Sequence, residues 1–189
     1  HVPRPRLSRW GLVPRAESAR VGALKEVPVA LSDDFKDAMS AWASGVTVVT
    51  TRADGLAHGI TASSFSSVSL DPPLVLVCVN DKSPLCAMIQ SSGRFAVSVL
   101  GRGQEAASNH FASRGREPKA VLDGVPMTAT SDDLPLVDGA LGTLACDLHE
   151  TMALGDHLVV IGRVTEATSA SEGSPLIYWS RAYRGVDPS

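Results

Sequence analysis

The residues most able to do chemistry cluster between Gly45 and Ser83. Thr61, Ser63, Ser64, Ser66, Ser67 and Ser69 crowd one short stretch with hydroxyls. Their small size lets a flat ring lie close to the backbone and take hydrogen bonds from its N–H groups. Lys82-Ser83-Pro84 then sets a cation and a hydroxyl at a helix start, where free N–H groups and the helix dipole favour an anion. A ring-binding strand followed by a phosphate-binding helix start suits a mononucleotide or dinucleotide cofactor. The polar face of an ordinary strand would also carry such hydroxyls, and composition alone does not separate the two readings.

Other chemistries lack their residues. There is no Gly-x-Ser-x-Gly elbow and no His-Glu-x-x-His. The five histidines and three cysteines show no metal-ligand spacing, and the carboxylates are scattered. Gly101-Arg102-Gly103-Gln104-Glu105-Ala106 has the form of a dinucleotide fingerprint. The acidic strand end due about 20 residues later is replaced by Arg114-Gly115-Arg116-Glu117-Pro118-Lys119, so the glycines read as a turn into a helix. His157 follows a tight turn and is expected to be partly exposed; His58, His110 and His149 read as surface or packing residues. Cys78, Cys86 and Cys146 sit among apolar neighbours and read as reduced core thiols.

The elements that must position these residues are mostly strands. Ser32 caps a helix whose Phe35, Ala38, Met39 and Trp42 form one stripe, expected to be buried, and Gly45 ends it. Strands are expected at 46–53, 56–65 and 74–79, with Asp54-Gly55 as a hairpin turn and 74–79 buried on both sides. Ser83-Pro84 opens a second helix, 94–100 is a strand, and 104–112 is a third helix. Val125-Pro126-Met127 reads as a short edge strand, 139–152 and 157–167 as a long hairpin, 175–179 as a last strand, and 181–185 as a loop. Antiparallel strands with a few short helices define a mainly β fold, a closed or half-closed barrel. A small barrel fills its interior with side chains, so a cofactor must bind outside it or at an interface.

The 189 residues suit one domain over 28–189, preceded by a mobile basic arm over 1–27. That arm carries six basic residues against two acidic ones, in a chain of net charge −3. The overall charge gives no sign of nucleic-acid binding. No apolar run is long enough for a membrane-spanning helix, and no signal segment is evident, which points to a cytoplasmic chain.

Several linked motifs carry a resemblance. They are Gly45-Val-Thr-Val-Val-Thr, Gly59-Ile-Thr-Ala-Ser-Ser-Phe-Ser-Ser-Val-Ser-Leu-Asp-Pro-Pro-Leu-Val, Phe95-Ala-Val-Ser-Val-Leu, Gly155-Asp-His and Tyr183-Arg-Gly. In this order they resemble the short-chain flavin reductases, from about Phe35 to Gly185. The resemblance implies a split β-barrel of the FMN-binding kind and a homodimer. It implies FAD or FMN as cofactor, NADH or NADPH as hydride donor, and a separate monooxygenase that receives the reduced flavin. It further implies that Thr61, Ala62, Ser63 and Ser64 lie under the ring, and that Cys78, Val79, Asn80, Lys82 and Ser83 form a strand end and phosphate-binding turn. Phe111 and Arg114 would line an outer groove, Tyr183 would lie near the ring, and His157 would sit beside the nicotinamide as the catalytic residue. The loop after Phe111 is short of the family's usual acidic-aromatic run, which leaves nicotinamide contacts there open. A non-catalytic flavin- or haem-binding barrel, or an oxidase of a phosphorylated pyridine, are the rival expectations. The oxidase would need a basic cluster, for which Lys82, Arg94, Arg181 and Arg184 are at hand.

Overall fold

The computed structural model describes residues 29–186. The arm expected over 1–27 lies outside the described residues. The chain divides into two compact units, 1–36 and 37–189. The first unit is described only over the opening turns of helix α1, Val29–Ser40.

In the second unit, β1 (Ser44–Gly45) leads into β2 (Thr47–Ala53), β3 (Leu56–Ala62), β4 (Phe65–Leu70) and β5 (Pro73–Asn80). Helix α2 (Pro84–Ser92), β6 (Arg94–Val99) and α3 (Glu105–Ala112) follow. Two short strands, β7 (Met127–Ala129) and β8 (Pro135–Val137), precede the long pair β9 (Gly142–Leu154) and β10 (His157–Ser169). β11 (Leu176–Trp179) and β12 (Ala182–Gly185) close the described chain. Seven strands form one antiparallel sheet in the order β3-β2-β6-β9-β10-β5-β4. Its two outer strands, β3 and β4, are consecutive in sequence and joined by Ser63-Ser64 alone. The sheet therefore rolls until its edges meet at that link without pairing, which makes a split barrel.

Sequence chemistry accounts for the curl. β2 is rich in Val and Thr and β5 in Val, residues that fit a pleated, half-buried surface. Asp54 and Gly55 both adopt positive φ, the geometry of a tight two-residue hairpin. β10 carries register shifts at Ile161/Gly162 and Val164/Glu166 against β9, and such bulges increase local twist. Gly162 is obligatory there: a Cβ would lie 2.6 Å from Phe95 Cε1 and 2.9 Å from Cys146 Cβ. The barrel core is Val49, Val75, Val77, Val79, Phe95, Val97 and Val160, with Leu85 and Ile89 of α2 packed into it. A second cluster joins the other face of β2 to Ala107 and Phe111 of α3.

Five expectations change. Helix α1 spans Val29–Ser40, so Ser32 lies within it rather than capping it, and it stops before Gly45, which belongs to β1. The 35/38/39/42 stripe is exposed: Phe35 by 63%, Met39 by 50% and Trp42 by 70%. A helical period reveals an apolar face but not what covers it. The strand expected over 56–65 breaks at Ser63-Ser64, where the chain crosses between sheet edges. β5 alternates between buried and half-buried positions rather than being buried on both sides. Residues 182–185, expected as loop, pair with β11 as β12. The Gly101 segment is no dinucleotide turn: Gly101 bridges to Pro175, and β6 is antiparallel to both its neighbours.

Candidate functional site

Two recesses flank the end of α3, and Thr61 lines both. The larger is a groove of about 720 Å³, walled by His58–Thr61 of β3, by Asn80 and Lys82–Pro84, and by Phe111–Glu117. The smaller, about 360 Å³, is lined by Ser63, Ser108, Asn109, Tyr178, Arg181 and Tyr183 among others.

The β5–α2 wall is held by local hydrogen bonds. Ser83 sits in extended backbone and its Oγ accepts from the Leu85 N–H at 3.3 Å, with Pro84 in the first turn. Asn80 Oδ1 accepts from the Lys82 N–H, while Asn80 Nδ2 donates to the Asp156 carbonyl, both at 3.2 Å. The Asp81 N–H also donates to Asp156 O, at 3.1 Å. The free N–H groups expected at this helix start are thus largely spent: Leu85 on Ser83 Oγ, and Cys86 on Ser83 O. What remains toward an anion is the exposed Lys82 ammonium, the Ser83 hydroxyl proton and the helix dipole.

β3 is a sheet edge whose Ala57 is bridged to Lys119, so only beyond Ala57 do alternate N–H groups, around Gly59 and Thr61, face away from β2 unpaired by a strand. Thr61 Oγ1 donates to the Ser108 carbonyl at 2.6 Å, pinning β3 to α3. Gly59 lets the Phe111 ring lie on the strand; a Cβ there would meet Phe111 Cε1 at 2.9 Å and Thr50 Cγ2 at 3.0 Å. Tyr183 Oη is held by Ser108 Oγ at 2.8 Å and Asn109 Oδ1 at 2.9 Å.

The residues marked by the sequence do not all converge. Thr61, Asn80, Lys82, Ser83, Phe111 and Arg114 line the groove; Ser63 and Tyr183 line the smaller recess. Ala62 and Val79 are core residues whose side chains face inward. Ser64 Oγ donates to the Cys78 carbonyl at 2.9 Å and accepts its N–H at 3.2 Å, so it extends the β4–β5 pairing rather than lying in either recess. Cys78 is half-buried, with its backbone engaged by those two bonds. His157 lies beside the groove, opposite Asn80 in the β5–β10 register, and outside its lining. Its Nδ1 bonds Asp156 Oδ1 at 2.8 Å, and this bond holds the Asp156 carboxyl below its usual range.

Sequence reasoning missed His58 and Arg116, both in the groove wall. His58 is 2% exposed and reads on paper as packing. The available signal was a histidine between Ala57 and Gly59 in a stretch where all three are buried. Burial, then the positive charge of Arg116, lowers its pKa, so the imidazole is neutral at physiological pH. Arg116 lies over the Phe111 ring at 4.9 Å and its Nη1 reaches the His110 carbonyl at 3.1 Å and the His110 ring. Among the described residues there is no cluster of metal ligands.

A rolled sheet split at one edge, with a nucleotide-sized groove beside the split, defines a recognisable class of small redox proteins. The chain belongs to the flavin reductase family: the family described as flavin reductase like domain matches residues 39–187. Among curated proteins it is 42% identical to the reductase component of 4-hydroxyphenylacetate 3-monooxygenase from Thermus thermophilus, over 82% of this chain and 96% of that one. It is 37% identical to an NADH-dependent flavin reductase from a Rhodococcus species, over 81% and 85%. Among solved structures, BorF, the flavin reductase component of a bacterial two-component tryptophan halogenase, superposes with TM-score 0.78 at 35% identity, covering 84% of this chain and 99% of BorF. The NADH:FAD oxidoreductase SgcE6 of Streptomyces globisporus, in complex with NAD and FAD fragments, superposes with TM-score 0.78 at 32% identity, covering 87% and 98%.

Proposed function

We propose that the chain is an NAD(P)H-dependent flavin reductase whose groove between β3, the start of α2 and the loop after α3 holds the flavin. The bound cofactors supply the redox chemistry, a hydride transfer from nicotinamide to FAD or FMN. This chain's residues bind, orient and shield. Lys82 and Ser83 hold a phosphate; the free edge of β3 around Thr61 donates N–H groups to the ring, where they favour negative charge. Phe111 forms the apolar floor and Tyr183 flanks the ring from the neighbouring recess. His157, fixed by Asp156, orients the nicotinamide.

One observation carries this reading: an open strand edge and a cation-bearing helix start face one groove that contains no activated nucleophile. The chemistry of that donor set fits a phosphorylated flat ring. The relatives' names support passage of reduced flavin to a separate monooxygenase. Exposed Met39, Trp42, Tyr178 and Trp179 support a homodimer, and Trp179 Nε1 bonds the Ala41 carbonyl at 3.1 Å, bringing the two tryptophan segments together. No helix among the described residues is long and apolar enough to cross a membrane, and the three thiols are free, which supports a cytoplasmic setting. The decisive assay follows NADH oxidation by nicotinamide absorbance with free FMN or FAD added. Consumption that depends on flavin is expected; a rate indifferent to flavin would sink the proposal.

A further inference from the structure

His58 and Arg116 share an unusual condition. His58 Nδ1 and Arg116 Nε are both buried and neither has a hydrogen-bond partner among the described residues. Buried polar atoms left without a partner are costly, so two in one wall call for a partner that the fold itself does not supply. Both residues line the same groove, which also carries Arg114, Lys82 and one acidic side chain, Glu117.

The guanidinium is placed, not loose. Nη1 is held by His110 through its ring and its carbonyl, and the plane rests over Phe111. That fixes Nε, whose only capacity is to donate. The imidazole is fixed by burial between Ala57 and Gly59, and with its proton on Nδ1 it donates as well. Two fixed donors beside the charges of Arg114 and Arg116 suit an anionic oxygen. They belong to β3 and to the loop after α3, whereas Lys82 and Ser83 belong to the β5–α2 turn.

We propose that His58 and Arg116 form a second anion subsite, separate from Lys82–Ser83, which binds a phosphate of a dinucleotide's pyrophosphate bridge. The inference rests on the proposed function and deepens it: the groove has two phosphate-binding positions, so its ligand is a dinucleotide. The pyrophosphate could be that of FAD or that of NADH, since the chemistry is the same. On the flavin side, this makes FAD a better ligand than FMN.

The test is equilibrium binding, which does not depend on turnover. Dissociation constants for FAD, FMN and NADH are measured by flavin fluorescence or calorimetry for the wild type, His58→Leu, His58→Asn, Arg116→Met and Arg116→Lys. His58→Asn keeps a polar atom near the position of Nδ1; Arg116→Lys keeps charge but loses Nε. Thermal midpoints are recorded alongside. A rise of tenfold or more in the FAD constant with His58→Leu and Arg116→Met, an FMN constant changed less than threefold, and partial recovery in His58→Asn would assign the subsite to the flavin pyrophosphate. The same pattern for NADH, with both flavins unaffected, would assign it to the nicotinamide dinucleotide. Constants unchanged for all three ligands, or changed equally for FMN and FAD in step with the thermal midpoint, would overturn the subsite. Either result leaves flavin-dependent NADH oxidation by the wild type as a separate question.

Discussion

At the scale of single residues, two glycines and one histidine carry the sharpest consequences. Gly59 gives Phe111 its place in the groove, and the space for a methyl is taken on both sides. Gly59→Ala should cost about 1–3 kcal/mol by overpacking and should weaken flavin binding by displacing the ring. Chemical denaturation and a flavin titration on the same variant would show both; a stable variant with intact affinity would mean that Phe111 has room to shift. Gly162→Ala should lose at least as much stability with less effect on binding, because its clash lies in the barrel core. His58 sets a pH dependence. Its folded-state pKa lies below the ordinary 6.5, so the unfolded chain takes up a proton first as pH falls. Its contribution to stability is therefore full above about 6.5 and is lost as pH drops toward the folded value. The thermal midpoint should fall across that window, and His58→Leu should flatten the slope; an unaltered slope would show that other groups set it.

At the scale of elements, the α2 start is the clearest test. Ser83→Ala removes the cap on the Leu85 N–H and should cost about 1 kcal/mol of stability. It should also weaken flavin binding, since the same hydroxyl faces the groove. This helix was legible in the sequence, because Ser-Pro is a strong local start signal and Gly93 adopts the left-handed cap at its end. The strands with dense β-branched runs were legible for the same local reason. The break at Ser63-Ser64 was not: no Gly or Pro marks it, and it exists because β3 and β4 are opposite edges of one rolled sheet. β12 was missed because its pairing with β11 is decided by the segment they form together, not by its own four residues. In the site, Lys82 and Ser83 could be read from a contiguous motif. His58 with Arg116 could not, since one lies on a strand and the other on a distant loop, and only the fold brings both into one wall.

At the scale of the whole molecule, thiol chemistry and assembly can be anticipated. Cys146 is held by burial, with Asp147 adding to it, at a pKa of about 12, and burial raises Cys86 as well. Neither should react with a thiol reagent in the native protein at neutral pH, while both should react once it is denatured. The exposed tryptophan segments predict a dimer by sedimentation, with Trp42→Ser shifting it toward monomer.

The split has one more consequence. The groove's walls come from β3 on one side of the Ser63-Ser64 link and from the β5–α2 turn on the other. A ligand lying there bridges two margins that no backbone ladder joins. It acts as a removable rivet, and by linkage a ligand at a hundred times its dissociation constant adds about 2.7 kcal/mol to stability. A reductase that gives up its flavin then gives up part of its own rigidity with it. Amide exchange along the β3 edge and at residues 63–64 should quicken each time the cofactor departs.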